Sequence, residues 1–107
     1  MSFFDGSTNN KPSIEFKDAI GVTIQSGDYI VVFTRSGYEP RVGRYLCPTK
    51  SGKSMRVLEY AYNDTVVVST ILYPEFTVRI NPIDLKPQIK QKLDDHFEEE
   101  LKKALKK

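Results

Sequence analysis

The chain is poor in the residues that build chemistry. Cys47 is its only cysteine and His96 its only histidine. One thiol cannot form an intramolecular disulfide and does not supply a cysteine-based metal site, and a lone thiol fits a reducing cytoplasm. The carboxylates Asp95, Glu99 and Glu100 are the nearest candidate co-ligands for His96, and a surface helix is commonly that acidic. No nucleophile-elbow motif starts a Ser-His-Asp triad, and pairing Cys47 with His96 would join two isolated residues arbitrarily. The residues give no sign of an enzyme or of a bound cofactor.

Long apolar runs are missing too. The most apolar stretch, TVVVSTILY at 65–73, is far short of the roughly 20 residues a membrane-spanning helix needs. The start MSFFDGSTNN has neither the basic region nor the apolar core of a secretion signal, and Ser2 stands where myristoylation needs glycine. A cytoplasmic protein without a membrane partner is the expectation. Asn63-Asp64-Thr65 fits the glycosylation pattern and reads there as turn chemistry.

A third absence decides the stretch CPTKSGKSMR, 47–56. Gly52-Lys53-Ser54 has the ending of a phosphate-binding loop, but that motif needs a glycine where Cys47 stands and a helix where SMRVLEYAY follows. The segment is expected to be a β-hairpin tip.

What remains is a single domain of 107 residues with an ordinary charged fraction of 28%. Residues 1–12 are polar and small, the composition of a loose arm. Residues 13–83 carry strand signals: DYIVVFTR, EPRVGRYLC, SMRVLEYAY, TVVVSTILY and EFTVRI, punctuated by Ser36-Gly37, Ser51-Gly52, Asn63-Asp64 and Pro74. Five short strands without room for crossover helices imply an antiparallel meander, which at this size curls into a small barrel.

From residue 84 the period changes. Ile89, Leu93, Phe97, Leu101 and Leu105 recur every four residues, the apolar stripe of an amphipathic helix over 84–107 with Asp84 as N-cap. The stripe must be covered, either by the chain's own barrel or by the same helix of a second copy. In the second case it is a protein interface and the chain a possible homodimer, or an inhibitor that docks into another protein.

Net charge is only +2, yet it is unevenly spread. Between 35 and 56, Arg35, Arg41, Arg44, Lys50, Lys53 and Arg56 face the single acid Glu39, a balance of +5. Over 1–34 and 57–85, three basic residues face eight acids, a balance of −5. Cations that neutralise phosphates, interleaved with Tyr38 and Tyr45 as stacking faces, are the physical kit of a nucleic-acid surface. Strand alternation qualifies the set: Arg44 shares a parity with Val42 and Leu46, Arg41 with Tyr45.

The pattern Asp18-x-x-Gly21, then Ile24-x-x-Gly27-Asp28-Tyr29-Ile30-Val31-Val32, resembles the opening of small SH3-like barrels, including those with a KOW motif. Gly37 and Val42-Gly43-Arg44-Tyr45 look like that family's second strand. The chain is also similar to short, uncharacterised bacteriophage proteins with the same opening. The resemblance implies a mainly β fold, a small SH3-like antiparallel barrel of about five strands with the helix appended. It further implies a non-enzymatic module whose partner is nucleic acid or a host nucleic-acid-processing protein, in the host cytoplasm if phage-encoded. Its binding loops would lie at one end of the barrel, at 36–39 and 50–53.

Overall fold

The computed structural model describes residues 15–33 and 40–106. The arm at 1–12 lies outside them. Seven strands and one α-helix are described: β1 (Phe16–Lys17), β2 (Thr23–Ile24), β3 (Tyr29–Val32), β4 (Arg41–Pro48), β5 (Met55–Ala61), β6 (Thr65–Ile71), β7 (Thr77–Arg79) and α1 (Pro87–Leu105). β1 and β2 form a small hairpin. The other five make one antiparallel sheet in the order β6-β5-β4-β3-β7. Four strands follow as a meander, and β7 then returns to the free side of β3. Among the described residues β6 and β7 do not pair with each other, so the sheet stays open rather than closing into a barrel.

The sheet is buried on both faces because its strands carry two apolar sets. Ile30, Val32, Tyr45, Met55 and Val57 form one core with Phe16 and Ile24 of the β1–β2 hairpin. Leu46, Cys47 and Leu58 form the other with Leu93 and Phe97 of α1, flanked by Tyr29, Val42, Tyr60, Ile89 and Leu101. Neighbouring residues Leu46 and Cys47 share one face because the β4–β5 register shifts between Tyr45 and Cys47, a bulge that inserts an extra residue. The stripe of α1 is therefore covered by the chain's own sheet.

The helix starts later than its sequence suggests. Asp84 closes a short 3-10 turn, Pro82–Asp84, capped by the Asn81 side chain. Lys86, in extended conformation, is the N-cap of α1. A residue before proline is pushed out of the α region, so the helix begins at Pro87, where the fixed φ suits a first turn.

Asp18 ties the hairpin to the sheet. Its carboxylate is buried and accepts the amides of Ile20 at 3.1 Å, Val22 at 2.9 Å and Arg79 of β7 at 2.9 Å. Burial works against the charged form, but the three amides and the Arg79 charge outweigh it and hold the carboxyl below its usual range. A carboxyl depressed on folding stabilises the fold fully above its unfolded pKa, close to 3.8, and loses that contribution as pH falls through the lower folded value. Asp18→Asn, whose amide meets the Arg79 N–H donor to donor, is expected to cost about 2 kcal/mol at pH 7. The gap to wild type should narrow below roughly pH 4, as urea melts at pH 7, 4 and 3 would show.

Candidate functional site

The eight candidate contact residues do not form one surface. Arg35 and Tyr38 lie outside the described residues. Arg41 is the first residue of β4 and Lys50 lies beyond its last, so the two are separated by a strand whose seven residue steps span about 23 Å. The binding loop expected at 36–39 lies outside the described residues.

Three of the candidates serve the fold. Tyr45 is buried edge-on against Phe16, with ring centroids 6.1 Å apart, and burial pushes its phenol pKa up. It offers no face to a base. Arg41 is exposed, but its Nη1 lies 3.2 Å from Oε1 of Glu59, a buried carboxylate that also accepts the Ser69 hydroxyl at 2.9 Å.

Arg44 is the keystone of the helix–sheet contact. Its guanidinium carbon lies 3.9 Å from the Phe97 ring centroid and 4.5 Å from that of Tyr29. Its Nε donates to the Gly27 carbonyl at 3.0 Å, and its Nη1 to Asp94 Oδ1 at 3.2 Å. The same carboxylate accepts the Tyr29 hydroxyl and, at 2.6 Å, Lys90 Nζ. Desolvation opposes ionisation of Asp94, and these donors and charges more than offset it, so its pKa is lowered. The Tyr29 phenol is raised, first by burial and then by its bond to Asp94. The parity that Arg44 shares with Val42 and Leu46 turns it under α1, where a free phosphate contact is closed to it.

The remaining three, Lys50, Lys53 and Arg56, lie on or beside the β4–β5 hairpin. Its tip is a tight turn: Thr49 N–H donates to the Ser54 carbonyl and Gly52 N–H to the Thr49 carbonyl, both at 2.9 Å. Gly52 takes φ +76°, the left-handed region glycine tolerates. Ser54 is buried and its hydroxyl is bonded to that of Thr49. The segment is a hairpin tip with a strand after it, not a phosphate-binding loop. Lys50 and Lys53 are exposed and Arg56 is half-buried. No ion pair among the described residues engages any of the three.

The tertiary structure adds partners that the sequence left apart. Leu101 and Leu105 of α1 share a groove of about 470 Å³ with Cys47 and Pro48 of β4, along with Glu15 and the segment 23–26. The C-terminal end of α1 thus lies at the hairpin end of the sheet. It brings exposed Lys102 and Lys106 to the same end of the molecule. Lys103 there is engaged by Glu99 and Glu100, at 3.5 and 3.6 Å. These lysines are visible in the sequence as helix-terminal charge, but only the direction of the docked helix sets them at the end of the sheet that also carries the 49–54 turn. Burial raises the pKa of the Cys47 thiol in the groove, and Arg56 offsets that in part.

The helix stripe is largely spent on folding. Leu93 and Phe97 are buried, Ile89 and Leu101 pack at the margin, and Leu105 alone stands open at 66% exposure. A second groove, of about 570 Å³, runs between Asp18 and Pro82. Its charges are already committed, Asp28 to Arg79 at 3.1 Å and Asp18 to backbone amides. Among the described residues no helix is long and apolar enough to cross a membrane. No protein-family model, curated protein or solved structure matches the chain.

Proposed function

We propose that the chain is a non-enzymatic binding module of the SH3-like class that contacts nucleic acid, or the nucleic-acid face of a processing complex, through its basic end. A phage-encoded accessory protein working in a host cytoplasm is the setting we favour, on the resemblance of its opening. The observation that carries the reading is that the hairpin bearing Lys50, Lys53 and Arg56 and the helix end bearing Lys102 and Lys106 lie at the same end of the sheet. Three of these cations come from a hairpin whose tip is closed by the Thr49–Ser54 and Gly52–Thr49 backbone bonds, so they are held out at little entropic cost to the loop. The SH3-like assignment draws support from the pairing of β3 with both β4 and β7 and from the long β4 that passes close to β5 at Gly43. Phosphate contact is the chemistry these groups offer, with affinity governed by counterion release. A partner docking on Leu93 and Phe97 is not retained, because the sheet already occupies them.

The test is fluorescence anisotropy with short single- and double-stranded DNA and RNA at roughly 50 and 200 mM salt. Affinity should fall steeply with salt. The triple variant Lys50→Glu, Lys53→Glu, Arg56→Glu should lower it more than about tenfold and flatten the salt slope by about three. Lys86→Glu, roughly 28 Å away at the other end of the helix, should leave it within about twofold. No binding at low salt, or equal binding by the triple variant, would sink the proposal.

A further inference from the structure

The two edges of the sheet are built in opposite ways. β7 is three residues long and carries Arg79, the short charged edge that soluble proteins use to discourage pairing. β6 has seven residues, TVVVSTI, with no charge, proline or glycine. Its pairing with β5 is continuous from Met55↔Ile71 to Ala61↔Thr65 without a bulge. No described strand pairs with its outer side. Every second residue along Val66–Ile71 therefore turns its N–H and C=O outward, on a regular ladder without the charge, proline or bulge that usually blunts an edge. Val67 and Val68, on opposite faces, are 45% and 41% exposed.

We propose that β6 is a homodimerisation edge, joining antiparallel to β6 of a second copy across a two-fold axis near Val68. A second copy fits this edge better than a partner of another kind. With the axis at Val68, Val68 faces its own mate, Val67 faces Ser69, and Val66 faces Thr70. Every cross-strand pair is then uncharged, so identical strands meet without the like-charge repulsion that normally separates copies. The pairing also closes. Each copy uses its single long edge, and the remaining β7 edges are too short and charged to extend the sheet.

The size of the seam sets its strength. The stretch Val66–Ile71, about 20 Å long in a sheet about 10 Å thick, gives a contact plane of roughly 200 Å² per copy, against about 800 Å² in a standard stable interface. The dimer is therefore weak and concentration-dependent.

Sedimentation velocity on the full chain, from roughly 5 to 500 µM, tests it. A reversible monomer–dimer equilibrium is expected within that range. Val68→Lys and Val68→Glu should each be monomeric throughout, with unchanged thermal unfolding at low concentration since the position is half open. Mixing the two variants should restore the dimer, because opposite charges then meet at the axis. A wild type that stays monomeric at every concentration, a dimer that survives in both variants, or a mixture that remains monomeric would each overturn the proposal.

Discussion

Leu93→Asp is expected to unfold the whole protein at neutral pH. Leu93 is fully buried beneath the sheet, beside Phe97, Leu46 and Leu58. Removing its side chain alone, as in Leu93→Ala, should cost about 3 kcal/mol through lost burial and the cavity left behind. The aspartate adds an unpaired charge that nothing in that cluster can satisfy, and the total exceeds about 5 kcal/mol. A domain of this size has only on the order of 5–15 kcal/mol in hand. Circular dichroism should show loss of strand and helix signal together. Loss of the helix with an intact sheet would mean instead that α1 is a detachable cover. That outcome would return the stripe Ile89, Leu93, Phe97, Leu101 and Leu105 to the role of partner surface. The charged latch around Asp94 argues for one cooperative unit, since it ties α1 to β3 and β4 through Tyr29 and Arg44.

The second large effect is expected at Gly43→Val. A Cβ at this position would sit 2.5 Å from the Leu58 carbonyl oxygen and 2.8 Å from Val57 Cγ1. The first of these is backbone of β5 and is held by the sheet ladder, so the clash cannot be relieved by turning a side chain. Valine should cost at least about 3 kcal/mol, and alanine most of that. Gly21→Ala is the informative control. Gly21 has φ +90° but nothing within 4 Å of a Cβ, so it should lose only about 1 kcal/mol from backbone strain. Urea denaturation of the three variants separates contact from conformation. If Gly43→Ala were as mild as Gly21→Ala, β4 and β5 would be free to spread, and the close approach would not be a constraint on the fold.

Much of the fold was legible because local periodicity is strong here. The five strand segments appear where alternation and turn residues place them, and the hairpin at 49–54 follows from a strand, not a helix, succeeding Ser54. The helix N-cap was expected at Asp84 and stands two residues later at Lys86, because Pro87 outranked the capping side chain of Asp84. The candidate site was less legible. Charge counted along the chain grouped Arg41 with Lys53, although β4 separates them. It also treated Arg44 as a surface cation, although parity puts it on the face that the helix covers. Tyr45 read as a stacking face and proved to be core, since strand composition does not say which layer covers each side of a sheet. Lys102 and Lys106 gave no signal of nearness to the hairpin.

The sequence by itself determined the five strands of the main sheet, the C-terminal helix and the hairpin that replaces a phosphate-binding loop, because each depends on residues within one or two turns of one another; the short β1–β2 hairpin left no such signal. Tertiary structure alone decided that the sheet is open, with β7 beside β3, and that the helix stripe closes onto the chain's own second core. It also decided which cations remain available at the surface. Those outcomes depend on contacts between residues as far apart as Arg44 and Asp94, and on which of two apolar faces each layer covers. Local periodicity carries no record of either.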